Sequence, residues 1–339
     1  MVLVTGGTGF IGAYILKELV QKGHPVRAIR RSSDLPFFID ASILQQIEWV
    51  NGNLFDPGLL EDALTGVNAV IHAAGKVSYH HSDRRELYKT NIEGTANIVN
   101  LSLDKNIQRF IHISSVSAIG RRTDGGSVNE EKKWEENKKN THYGISKFYG
   151  EMEVWRGFAE GLNGLILNPA TVLGYGDWNS SSCRIFKNAY EEFPWYTQGV
   201  NGFVDVNDLA AVTVSLMEST LHNERYLISG ENWSFEKLLK TIALGFGRKP
   251  PTRLASPLMG NIAWQMEKLK SIFTGRKPLL TRESARIAQS KTYFDNRKIL
   301  EALPGFQFTP LEETIDRACR QYMSNLKKED SENPTHKEE

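Results

Sequence analysis

A phenol and an ammonium stand four residues apart in Tyr143-Gly-Ile-Ser-Lys147. On a helix that spacing puts both groups on one face. A phenol titrates near about 10 and is a poor base at neutral pH. A cation beside it favours the phenolate and lowers that value. A tyrosine tuned in this way can exchange a proton with an alcohol or a carbonyl while a cofactor exchanges hydride. Tyr and Lys at this spacing also occur on ordinary exposed helix faces, so the surroundings decide. Ser114-Ser115 follows an apolar stretch at 110–113, and a hydroxyl there could hydrogen-bond the reacting oxygen. His72-Ala73-Ala74-Gly75 ends another apolar stretch, where small residues leave room for a bound cofactor. His72 itself reads as a strand residue rather than a ligand. Asn91 falls inside a helical pattern, where asparagine is unfavourable, and is a candidate for a polar role.

The elements that must position these groups begin at the first residue. The opening M-V-L-V-T-G-G-T-G-F-I-G joins a short apolar strand to Gly6, Gly9 and Gly12, and residues 13–20 then carry a helical apolar face. A strand, a glycine turn and a helix form the first unit of a dinucleotide-binding fold. One glycine permits the tight turn, one lets a pyrophosphate approach the backbone, and one lets the helix pack close to the sheet. The residues between and after them (Thr8, Phe10 and Ile11) bring backbone N–H groups to a helix N-terminus that favours phosphate. Glycine triplets also occur in plain turns, so this motif too depends on its context. Strands are predicted at 25–29, 47–50, 69–73, 110–113 and 165–167, with helices at 57–64, 87–103 and 141–159 between them. Asp56 reads as an N-cap, with Pro57 at the first helical position. This alternation predicts an α/β fold, a Rossmann-type doubly wound parallel sheet with right-handed crossovers. Residues 121–140 read as a polar loop. Later, helices are predicted at 205–217, 235–244, 258–273, 282–289 and 311–326, with a short strand at 226–228. The division expected is a nucleotide-binding domain over 1–168, a smaller and mainly helical substrate region over 169–326 with some segments returning to the sheet, and a disordered tail over 327–339.

Composition narrows the function classes. The 339 residues are 40% hydrophobic and 24% charged, values of an ordinary soluble globule. A net charge of +1 gives no reason to expect nucleic acid or an anionic membrane as partner. No apolar run is long enough to span a bilayer. Two cysteines, Cys183 and Cys319, make neither a disulfide framework nor a metal cluster, and Cys183 reads as a small residue near a pocket wall. With a strand starting at Met1, no leader peptide is expected, and a reducing cytoplasm fits.

T-G-G-T-G-F-I-G, H-A-A-G, the serine after 110–113, Y-G-I-S-K, L-N-P-A-T-V-L-G and F-V-D-V-N-D-L-A occur in the order found in the extended short-chain dehydrogenases/reductases. The chain resembles that family from residue 1 to about 220, the NAD-dependent epimerase/dehydratase group. The resemblance implies a seven-stranded nucleotide-binding sheet and a bound nicotinamide dinucleotide. It implies that Tyr143 is the acid/base and that Lys147 binds the nicotinamide ribose and tunes Tyr143. Ser115, five residues before Gly120, matches the family's serine better than Ser114 does. Asn168 and Pro169 match the segment beside the nicotinamide, and Asn91 matches a helix asparagine close to Lys147. Ala73, Ala74 and Gly75 would line the cofactor. The helices around Asn91 and Tyr143 usually form a homodimer interface in this family.

Two departures bear on the cofactor. NAD enzymes commonly place an acid at the end of the second strand for the ribose 2′-OH. Here Arg30 and Arg31 occupy that place, and arginine pairs with a 2′-phosphate, so NADP(H) is expected over NAD(H). Asn53-Leu54 stands where many relatives carry an acid that reads the adenine amino group, and the Asn53 carbonyl can still accept that hydrogen bond. Three readings follow: an NADP(H)-dependent reductase or dehydrogenase of alcohols and carbonyl compounds, a nucleotide-sugar epimerase or dehydratase, and a non-catalytic dinucleotide sensor. V-R-A-I-R-R and the later run G-R-K-P-L-L-T-R-E-S-A-R-I with Y-F-D-N-R-K resemble the dihydroflavonol-reductase and 3β-hydroxysteroid-dehydrogenase branch. No acidic pair follows Ser115, which leaves dehydratase chemistry unsupported. Trp178, Trp195, Tyr196 and Phe203 are candidates for apolar pocket walls or for the core of the smaller region. Tyr79, His80 and His81 are candidates to face a small, hydrophobic substrate, and no metal site is expected.

Overall fold

Four-residue runs of β-branched and aliphatic side chains, buried on both faces, build the centre of the molecule. In the computed structural model, which describes residues 1–122, 126–137, 140–256, 259, 264–265 and 281–332 (side chains through 327), Val2–Thr5 (β1) and Ala69–His72 (β4) are buried at every position. They pair in parallel, and Val26–Arg30 (β2), Ile47–Asn51 (β3), Arg109–Ile113 (β5), Gly164–Pro169 (β6) and Glu224–Ile228 (β10) complete a seven-stranded sheet. The strand order is β3-β2-β1-β4-β5-β6-β10, with every neighbour parallel. Purely parallel strands must be covered on both faces, which explains their continuous apolar runs. The order reverses between β1 and β4, and at such a switch point the carboxyl ends of the strands open a crevice.

The helices supply the two coats. Phe10–Gln21 (α1) and Val206–Glu218 (α9) pack against one another on one face. Ala41–Leu44 (α2) is a single turn. Pro57–Ala63 (α3) starts as its sequence predicts, with the Asp56 carboxylate accepting from the Leu59 N–H at 3.1 Å. The helical pattern at 87–103 is present but interrupted. Arg84–Tyr88 (α4) and Gly94–Asp104 (α5) are joined by a π-helical turn over Lys89–Glu93. Val116–Ile119 (α6) is one turn capped by the Ser115 hydroxyl. His142–Ala159 (α7) is capped by Thr141, whose hydroxyl accepts from Gly144 N–H at 2.9 Å.

Beyond β6 the chain builds a second, small sheet that its sequence did not announce. Thr171–Leu173 (β7), Val200–Asp205 (β9) and Glu231–Ser234 (β11) pair in the order β11-β9-β7, and Trp195–Tyr196 (β8) pairs with Arg253–Leu254 (β12). Arg184–Tyr190 (α8) and Phe235–Gly245 (α10) cover a core of Leu173, Phe186, Phe203 and Trp233. Phe203 is therefore a core residue, and Trp178 stacks on Tyr322 at 5.4 Å against the same cluster. Further helices run over Arg282–Gln289, Arg297–Ala302 and Leu311–Glu332. The last continues past 326, where its apolar pattern stops. The helix predicted at 258–273, apart from 259 and 264–265, residues 275–280 of the G-R-K-P run and residues 333–339 of the expected tail lie outside the described residues. Among the described residues, no helix is long and apolar enough to cross a membrane, and no cluster of His, Cys, Asp and Glu could hold a metal ion.

Arg109 ties the lower edge of the sheet to α9. It is buried at the start of β5 and donates to the carbonyls of Leu216 and Leu221, both at 2.5 Å. Arg109→Met would leave those carbonyls unpaired, at a cost of about 2–4 kcal/mol. Urea unfolding should show this loss of stability. The site end of β5 is about 13 Å away along the strand, so cofactor binding by the folded variant should be unchanged.

Candidate active site

The opening glycines make a cradle that other residues could not. Gly6 has φ +73°, and a Cβ there would lie 2.6 Å from the Ala74 nitrogen. A Cβ on Gly12 would lie 2.2 Å from the Gly6 carbonyl oxygen. Gly9 is exposed at the N-cap of α1, where no side chain takes the first amides and no acid stands in the first turn. Half-buried Thr8, Phe10 and Ile11 flank it. A free, uncompensated helix N-terminus beside a glycine turn fits a pyrophosphate. Ala73, Ala74 and Gly75 run alongside, with the Ala74 N–H donating to the Thr5 hydroxyl at 3.3 Å. The residues present therefore fit a dinucleotide.

At the ends of β2 and β3, several of the candidate side chains already have partners. Arg30 ends β2 and donates through Nε to Asn51 Oδ1 at 2.8 Å, with its guanidinium 5.8 Å from the Trp49 ring centre. Arg31 beside it is exposed. The Asn53 side-chain oxygen accepts from the Phe55 N–H at 2.8 Å, so a turn already uses one of its lone pairs. Leu54 is buried in the core, and its carbonyl accepts from Asn97 at 2.8 Å.

The reacting end gathers residues from four elements. Tyr143 and Lys147 lie on one face of α7, Ser115 follows β5, Asn168 sits on β6, and Asn91 lies in the π-helical turn. Pro169 is buried beside Asn168. The Ser115 hydroxyl lies close enough to the Tyr143 phenol to favour its ionised form. Asn168 Nδ2 donates to the Ser115 carbonyl at 3.0 Å, and Lys147 Nζ donates to the Ile113 carbonyl at 2.9 Å. Asn91 works as a bracket. Its oxygen accepts from Lys76 N–H at 2.7 Å, and its amide donates to the Lys76 carbonyl at 3.0 Å and to the Ser146 hydroxyl at 2.9 Å. A Cβ built on Gly75 would lie 3.4 Å from Asn91 Oδ1 and 3.6 Å from Lys147 Nζ. A π-turn often marks a functional site. Here the turn carries Asn91, which joins α7 to the loop through Lys76.

The electrostatics correct one sequence expectation. Desolvation raises the Tyr143 pKa, and the nearby Ser115 hydroxyl lowers it only in part. Lys147 does not lower it, because the ammonium is directed at the Ile113 carbonyl. Lys147 itself is pulled down to about 8 by desolvation, opposed by the Glu151 carboxylate. Tyr79 meets Tyr143 edge to face at 5.8 Å, so it does face the site. His81 and His142 rings stand 6.5 Å apart beside Tyr88. His72 is structural, as its strand position suggested. It lies between Thr5 (Nδ1, 2.7 Å) and Thr95 (Nε2, 3.0 Å), and burial lowers its pKa to about 3. Burial pushes the Cys183 thiol up to about 12, which suits a wall residue and not a nucleophile. Trp195 and Tyr196 are half-buried on β8. Sequence reading passed over Glu151, although it repeats the four-residue step from Lys147.

Residues 2–229 match the NAD dependent epimerase/dehydratase family. A Synechocystis protein provisionally named dihydroflavonol 4-reductase is 30% identical over 309 residues, 88% of each chain. Sterol demethylase protein B of Methylococcus capsulatus is 32% identical over 294 residues, covering 85% of this chain and 88% of that one. Cinnamoyl-CoA reductase 1 of Petunia hybrida is 26% identical, covering 80% and 86%. The solved structure of gox2253 superposes with a TM-score of 0.80 at 27% identity, over 96% of this chain and 98% of that one. With the glycine cradle, the seven-stranded parallel sheet and the Ser115, Tyr143 and Lys147 grouping in place, the chain belongs to the NAD-dependent epimerase/dehydratase family, the extended short-chain dehydrogenases/reductases, and is an NAD(P)-dependent enzyme of that family.

Proposed function

We propose that the protein is an NADP(H)-dependent oxidoreductase interconverting an alcohol with a ketone or aldehyde on a small hydrophobic substrate. The observation that carries this reading is the adjacent Ser115 and Tyr143 hydroxyls, one helical turn from Lys147, at the carboxyl end of a parallel sheet. The bound nicotinamide supplies or accepts the hydride. In reduction, Tyr143 gives its hydroxyl proton to the carbonyl oxygen, and Ser115 donates a hydrogen bond to that same oxygen. Lys147 offers a cation to the cofactor ribose. Asn91 holds the loop through Lys76 against α7, and Asn168 holds the Ser115 backbone. Ser115 is followed by the turn Val116–Ile119, which carries no carboxylate and so supports a reductase over a dehydratase that would use an acidic pair there. The reductase and sterol-related names of the relatives support the same choice. Tyr79 supplies an aromatic wall.

NADP(H) is the cofactor in this reading because β2 ends in Arg30 and Arg31 without a carboxylate. Arg30 is engaged with Asn51, so Arg31 is the readier partner for a 2′-phosphate. A homodimer through the helices around Asn91 and Tyr143 accords with the exposed Tyr149 and Met152 on α7. A cytoplasmic setting accords with two buried free cysteines.

Tyr143→Phe should lower kcat by about 10²–10⁴-fold and leave NADPH affinity nearly unchanged. NADPH oxidation with a panel of carbonyl compounds, alongside NADPH fluorescence titration, reads both. Near-normal turnover in that variant would refute the assignment. Nucleotide-sugar conversion without net cofactor change would favour an epimerase instead. Arg31→Ala should raise the KM for NADPH by about 10-fold while moving that for NADH little. A wild-type preference for NADH would overturn the 2′-phosphate argument.

A further inference from the structure

Glu151 lies on α7 one turn beyond Lys147 and is fully buried. Its Oε2 accepts from the Ser114 hydroxyl and from Asn168 Nδ2, both at 2.8 Å. Its Oε1 accepts from the Trp155 indole N–H and from an Arg225 guanidinium N–H, both at 3.3 Å. Four donors around one carboxyl group suit an acceptor-only, ionised carboxylate. A plain Arg–Glu ion pair would explain Arg225, which also donates to the carbonyls of Glu130 and Lys132. It would not explain the other oxygen. Asn168 uses the same nitrogen to bind Glu151 and the Ser115 carbonyl, so the carboxylate fixes the backbone that carries the serine hydroxyl.

Lys147 needs an anion from somewhere. The titratable groups facing it from β4 and β5 are His72 and His112, both held neutral by burial, and Tyr143 on its own helix is neutral below its raised pKa. Arg225, from β10, adds positive charge. Glu151 is the carboxylate that acts on Lys147, opposing the desolvation that pulls it down to about 8.

We propose that Glu151 is a positioning residue for the acid/base pair, its carboxylate holding the Ser115–Asn168 side in register and serving as counter-charge to the Lys147 ammonium. The proposal rests on the reading of Tyr143 and Lys147 given above. Glu151→Gln keeps the shape, removes the charge and turns a donor toward donors. Without the carboxylate, Lys147 loses its proton at a lower pH. The native protein therefore carries an extra stabilisation that is present below the variant's Lys147 value and is lost as pH rises through about 8. Thermal unfolding without cofactor should show a Tm loss for Glu151→Gln that shrinks by about half between about pH 6.5 and about pH 9.5. In a Lys147→Met background that shrinkage should vanish. A loss of equal size across this range, or pH dependence that persists in the Lys147→Met background, would overturn the proposal. Should Glu151→Gln fail to fold, Glu151→Asp takes its place, and a flat series in that variant would likewise overturn it. In turnover, Glu151→Gln should move the alkaline limb of kcat for carbonyl reduction about one pH unit lower, and an unmoved limb would also count against it. Lys147→Met assayed alone separates the two failures. If it keeps normal turnover, the acid/base reading falls, and the thermal series still decides whether Glu151 and Lys147 are coupled.

Discussion

The hydrogen bond from the Lys147 ammonium to the Ile113 carbonyl is the contact on which the site depends. It pins the middle of α7 to the carboxyl end of β5 and keeps a cation where water is scarce. Burying an ammonium is costly unless it is paired and hydrogen-bonded. The surrounding structure supplies that compensation through one carbonyl, the carboxylate one turn along the helix, and histidines held in neutral form. His72 shows how the neutral form is held. The Thr95 hydroxyl donates to the Asn91 carbonyl at 2.8 Å, so it accepts from His72 Nε2, and Thr5 fills the other nitrogen.

The sheet determines where these groups can meet. β1, β2 and β3 lead the chain one way from the switch point, and β4, β5, β6 and β10 lead it the other. The glycine cradle ends β1, the small H-A-A-G residues end β4, the serines end β5, and Asn168 lies near the end of β6. A ligand lying along that edge would pass from the arginines at β2 to the phenol of α7. The π-helical turn and α7 are the elements that do not come from strand ends. The turn widens the helix between α4 and α5 and aims Asn91 at both the Lys76 backbone and Ser146.

The C-terminal region contributes little of the acid/base chemistry. Its core is aromatic, with Phe186, Phe246 and Tyr322 in mutual contact. It is clamped to the nucleotide half by the Asp205–Arg317 ion pair and by Asp208, which accepts from the Thr309 hydroxyl at 2.8 Å. Asp205 also caps α9, accepting from the Asn207 N–H at 2.7 Å.

Much of this was legible in the sequence, because it depends on short-range rules. A glycine turn between a strand and a helix, Asp56 before Pro57, and Tyr143 four residues from Lys147 are each determined within a few residues of chain. The strands of the parallel sheet could be read because burial on both faces leaves unbroken apolar runs. Where long-range contacts compete with local pattern, reading failed. Val200–Asp205 contains an Asn-Gly pair that signals a turn, yet it is a central strand between two partners supplied from elsewhere in the chain. The pKa of Tyr143 reversed direction because burial and the aim of the Lys147 side chain are tertiary facts. By sequence alone nothing separates Glu151 from a helix-surface acid. Only the fold brings Ser114, Asn168 and Arg225, from three separate strands or strand ends, onto its two oxygens. Residue type and spacing determined what chemistry this chain can do. The tertiary structure decided which groups are dry, paired and charged, because desolvation depends on neighbours that lie far away in the sequence.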